Sequence, residues 1–88
     1  MDLEQLKAQA KQGNADAQYG LAMLYDGGHG VPQDDTEAAK LVRLSAEQGH
    51  ADAQWHMAVL CEHGFGVPQD DTEAAKWFAL AMHQANPF

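Results

Sequence analysis

Residues 28–40 read GHGVPQDDTEAAK and residues 64–76 read GFGVPQDDTEAAK, so one thirteen-residue phrase occurs twice with a single change. Working outward, residues 15–40 match 51–76 at a shift of 36. The copies differ at 19, 20, 21, 23, 25, 26, 27 and 29 and agree at the other 18 positions. Self-similarity at a period of 20 to 50 residues marks an array in which each unit is one supersecondary element that buries its apolar face against its neighbours. Inside the phrase, glycines permit left-handed backbone, the proline forbids continued helix, and the aspartates suit a helix N-terminus. It reads as a joint between two helices.

The segments on either side have helical periodicity. Ala17, Leu21, Ala22, Leu24 and Tyr25 share one side of a helix expected from about 15 to 25, with Asn14 or Asp16 as its cap. Asp34 stands three residues before Glu37, the spacing of a capping box, and opens a helix to about Glu47 that turns Ala38, Leu41, Val42 and Ser45 inward. The second copy predicts helices at about 51–62 and 71–84, with Asn86-Pro87 as the stop. Ahead of both, residues 3–12 form a short helix whose tail, KQGNADAQ, aligns with EQGHADAQ at 47–54. That alignment makes it the second half of a preceding unit and an N-terminal cap. The expectation is an all-α solenoid of five helices: one domain over 1–88, with a capping helix at 3–12, repeats at 13–48 and 49–84, and a tail at 85–88. No strand pattern of period two appears.

Composition bounds the partners. Eighty-eight residues allow a thin core, much of it alanine. Thirteen acids against five Lys and Arg leave a formal charge of −8, which repels phosphate backbones and anionic headgroups and favours a basic protein surface. Neither nucleic acid nor membrane is expected as a partner. The start, MDLEQLKAQAKQ, lacks the charged-then-apolar pattern of a secretory signal, and no stretch approaches the length of a membrane span, which predicts a cytoplasmic protein. Cys61 has no second cysteine to pair with.

The residues just quoted carry a family resemblance. Ala17-Gln18-Tyr19, Leu21, Tyr25, Gly28, Gly30-Val31, Asp34, Ala38 and Lys40 resemble the Sel-1-like repeat, a longer relative of the tetratricopeptide repeat. Ala53-Gln54, Gly64, Gly66-Val67, Asp70, Ala74, Lys76 and Trp77 match it again. The departures are alanine for the usual glycine at Ala22 and Ala58, which predicts slightly opened helix pairs, Cys61 for a tyrosine, and Leu41 for a tryptophan. The resemblance implies antiparallel helix pairs in a right-handed superhelix and an adaptor or scaffold role in bacterial protein complexes. Cysteine-rich relatives linked to β-lactamase activity have paired cysteines that this chain lacks.

Chemistry of its own is hard to find in the sequence. The glycine loops lack the Gly-Lys-Ser/Thr ending of a phosphate cradle and put Asp34-Asp35 and Asp70-Asp71 where phosphate would sit. His56, Cys61 and His63 have the wrong spacing for zinc, and no nucleophile stands in a recognisable triad. No catalysis, cofactor or metal is expected. What remains is surface. If the first helix of each pair lines a concave groove, the side opposite Leu21 and Tyr25 offers Asp16, Tyr19, Met23 and Asp26 in one unit, and Asp52, Trp55, His56, Val59 and Glu62 in the next. Large aromatics among acids suit the capture of a basic and apolar protein or peptide, as an adaptor or an inhibitor of immunity type would require. Packing of Tyr19 and Trp55 sideways between helices is the structural alternative. The rival function is assembly into a homodimer through the last helix, where Trp77, Phe78, Ala81 and Met82, followed by Phe88, form an end face.

Overall fold

The computed structural model describes residues 2–85, and Asn86-Pro87 and Phe88 lie outside that range. Five helices follow one another: α1 (Leu3–Lys11), α2 (Ala15–Gly27), α3 (Asp35–Glu47), α4 (Ala51–His63) and α5 (Asp71–Ala85). Each packs on the helix before and after it in the chain. The resulting slab measures 37 × 27 × 16 Å, and no strand occurs among the described residues.

Local chemistry explains the boundaries. The side chains of Asp2, Asn14, Asp34 and His50 each accept the backbone N–H three residues on, supplying a first-turn partner that α1 to α4 would otherwise lack. At α2 the cap is Asn14, not Asp16. Helices α2 and α4 end on Gly28 and Gly64, both left-handed (φ 69° and 73°), a conformation open to glycine at little cost. The expected capping box at Asp34 is only half formed. Asp34 Oδ1 accepts the Glu37 N–H at 3.1 Å, but the Asp34 N–H is already donated to the Tyr25 carbonyl at 3.0 Å and is not free for the glutamate. The complete box stands at Asp2 and Gln5.

The core is thin and made of small residues, as the alanine content foretold. Ala22, Val42, Ala53, Met57 and Ala58 are wholly enclosed. Ala22 and Ala58 therefore sit in close-packed seams. Ala38, Leu41, Val42 and Ser45 all point inward from α3 as expected, and Ser45 Oγ donates to the Ala15 carbonyl at 2.8 Å.

Two buried glutamines, which periodicity does not single out, hold the layers in register. Gln18 Nε2 donates to the Ala10 carbonyl at 3.1 Å, and its Oε1 accepts from Gln48 Nε2 at 2.8 Å. One repeat later Gln54 Nε2 donates to the Ala46 carbonyl at 3.1 Å and accepts from Gln84 Nε2 at 2.5 Å. Each amide thus bridges the end of the helix before it to the end of the helix after it. Arg43 adds a cross-repeat link, its guanidinium donating to Glu73 Oε1 at 2.9 Å.

Candidate partner-binding surface

On α2 and α4 the buried side is set by Ala17, Gln18, Leu21 and Ala22 and by their counterparts Ala53, Gln54, Met57 and Ala58. The opposite side carries the expected groove residues. Asp16, Asp26, Asp52, Trp55 and Glu62 are exposed, whereas Tyr19, Met23, His56 and Val59 are half-buried. Tyr19 packs sideways. Its ring lies 5.0 Å from His50 and 5.9 Å, edge-on, from His56, so the following repeat covers one of its faces. Burial raises the Tyr19 phenol above its ordinary pKa, and Asp52 and then Asp26 add to the rise. Burial likewise pushes His56 below its ordinary value, with Asp26 pulling the other way. Two carboxylates from adjacent repeats therefore act on Tyr19 and one of them, Asp26, also on His56, and among the described residues neither Asp26 nor Asp52 makes an ion pair.

Trp55 holds the same place in the second repeat that Tyr19 holds in the first, yet it is 51% exposed. Its ring meets Phe78 of α5 edge-on at 4.6 Å and, among the described residues, has no pair of rings against it like the His50 and His56 that flank Tyr19. Residue type and helical spacing do not single out His50. Its Nδ1 caps α4 by accepting the Ala53 N–H at 3.1 Å, which leaves Nε2 to meet Asp16 Oδ1 at 3.0 Å. One ring thereby caps a helix, supports Tyr19 and engages Asp16. The only hint was its alignment with Asn14, a cap residue.

The predicted end face needs one correction. Ala81 is 3% exposed and belongs to the core, because α5 turns it toward α4 with Ala74. Met82 is open at 57%, Phe78 and Trp77 are half-buried, and Trp77 Nε1 donates to Glu73 Oε1 at 3.3 Å. A concavity of about 310 Å³ on the outer side of α5 is lined by Asp70, Thr72, Glu73, Lys76, Trp77 and Leu80, away from α2 and α4. Cys61 is buried, a setting that raises its thiol pKa, with Glu73 adding to the rise. His63 stacks on Phe65 at the surface.

The helix order, the glycine joints and the glutamine bridges recur with the period of the sequence. The Sel1 repeat matches residues 15–50 and again residues 51–86. The chain belongs to the Sel1 repeat family. Solved structures agree. A Sel1 repeat protein from Oxalobacter formigenes is 37% identical with a TM-score of 0.79, over 83% of this chain and 30% of its own. A protective antigen of uropathogenic Escherichia coli strains, displaying an SLR fold, is 36% identical with a TM-score of 0.89, over 93% of this chain and 18% of its own. The chain thus spans less than a third of the length of either neighbour. No match was found among curated proteins. Sel1 repeat proteins generally mediate protein–protein interactions, and the all-α solenoid expected from the sequence is the fold observed. Among the described residues no helix is long and apolar enough to cross a membrane.

Proposed function

We propose that this Sel1 repeat module is a non-catalytic adaptor or inhibitor that captures a basic, partly apolar segment of a protein partner across α2 and α4. The observation that carries the reading is the placing of exposed Asp26 and Asp52, from different repeats, on either side of the half-buried Tyr19 ring, with Asp26 also close to His56. A Lys or Arg brought there meets two carboxylates beside the part of the Tyr19 ring that stays accessible. Trp55, Met23 and Val59 supply apolar contact beside it, and Glu62 extends the acidic margin. The net charge of −8 would steer such a partner in before contact.

A fluorescence anisotropy screen with basic–apolar, neutral and acidic peptides tests the reading. Basic–apolar peptides should bind best and weaken as salt rises. Replacing either Asp26 or Asp52 by Asn should weaken binding roughly fivefold, the value of about 1 kcal/mol for a partly exposed charge pair. Equal binding of acidic peptides, or no loss in the double variant, would reject it.

A further inference from the structure

His50 is engaged at both ring nitrogens. Nδ1 accepts the Ala53 N–H at 3.1 Å and so carries no hydrogen, while Nε2 holds the ring's one hydrogen and donates it to Asp16 Oδ1 at 3.0 Å. This is the neutral imidazole in a single tautomer, tying the first turn of α4 to the first turn of α2. A proton added at Nδ1 would set two donors face to face. The Ala53 bond would be lost, whereas the Asp16 bond would become charge-assisted and persist. Protonation thus shifts the hold of His50 from α4 to α2. The matching residue one repeat earlier is Asn14, whose side-chain oxygen caps α2 in the same way and takes up no proton, whereas imidazole is the side chain suited to do so in mild acid.

The surroundings tie this exchange to the capture surface. The His50 side chain is only 16% exposed and its ring lies 5.0 Å from Tyr19, with His56 at 5.9 Å from the same ring. The charged groups around the two histidines are Asp16 and Asp26 on α2, Asp52 on α4 and Glu47 at the end of α3, all of them exposed and acidic. A proton taken up by either imidazole offsets part of the negative charge that a Lys or Arg of the partner would meet. We propose that the α2–α4 capture surface is proton-gated: in mild acid His50 gives up its cap on α4 and becomes, with His56, a cation beside Tyr19, and the basic segment is released. The gate rests on that partner reading and adds its regulation.

Fluorescence anisotropy at about pH 7.5 and about pH 5.5, with an acetylated, rhodamine-labelled peptide of alternating Arg and Leu whose own charge is constant over the interval, tests it. The dissociation constant should rise about tenfold in acid, about threefold from each histidine. His50→Asn, which copies Asn14, should cut the rise to about threefold, and His50→Asn with His56→Phe should leave almost none. His83→Gln on α5 should keep the full rise. In amide NMR spectra of the unbound protein, the Ala53 signal should move together with the His50 imidazole signals between the two pH values and stay in place in His50→Asn. Equal binding at both pH values, or a rise undiminished in the double variant, would overturn the gate and leave the partner reading standing. No binding at either pH would reject the reading itself and the gate with it. A full rise with an Ala53 amide indifferent to pH would show net charge acting without the cap, and would overturn the gate as well.

Discussion

Gly66 and Gly30 occupy the same place in the repeat but meet different surroundings. A Cβ on Gly66 would lie 2.4 Å from the Asp35 carbonyl oxygen and 3.2 Å from Ala39, whereas Gly30 has nothing within 4 Å. Both have positive φ, so alanine at Gly30 should cost about 1 kcal/mol from backbone conformation alone. At Gly66 the loop must also back away from α3, adding about 1–3 kcal/mol. Urea denaturation of the two variants separates these contributions, and equal losses would mean that the loop does not bear on α3 as described. Titration is also a residue-scale matter. His56 has its pKa lowered by burial from 6.5, so its stabilising effect is complete above that value and is lost as pH falls through the depressed folded value. Glu73, held low by its hydrogen bonds from Arg43 and then Trp77, acts in the same direction below 4.5. Stability should fall in two acid steps. In melting curves across pH, His56→Phe should remove the upper step and keep the lower.

At the scale of elements, the helices owe their relative placement to polar bridges as much as to apolar packing. Gln54 is 5% exposed and joins the Ala46 carbonyl on one side to Gln84 on the other. Gln54→Met keeps the volume and removes both bonds, which should cost about 1 kcal/mol, since the Ala46 carbonyl keeps the Gly49 N–H as a partner. Chemical denaturation would measure it, and a neutral result would make the bridge dispensable. The helices themselves were legible to within one or two residues at their ends, since glycine, proline and cap residues punctuate the chain locally. The bridges were not. A glutamine that bonds 8 residues back and 30 ahead has no local pattern, and its role emerges only once three helices are side by side. The half-formed box at Asp34 has a similar origin, because the competing Tyr25 carbonyl arrives from the previous helix.

Across the whole molecule, contacts run between consecutive helices, so burial depends on having a neighbour on each side. This explains what the sequence hid about the candidate surfaces. Tyr19 and Trp55 look equivalent in a repeat alignment, but His50 and His56 of the next repeat cover the first, whereas among the described residues the ring recorded against Trp55 is Phe78 and Trp55 stays 51% exposed. The acidic margin of Asp16, Asp26, Asp52 and Glu62 was readable from residue type and helical spacing. The partnering of Asp16 with His50 was not, since it crosses a repeat boundary. The different settings of Gly30 and Gly66 carry one more consequence, for how duplication shapes a protein. The two loops are nearly identical in text, yet only one of them presses on a preceding helix. Sites of equal spelling in the two copies therefore leave unequal room for a side chain.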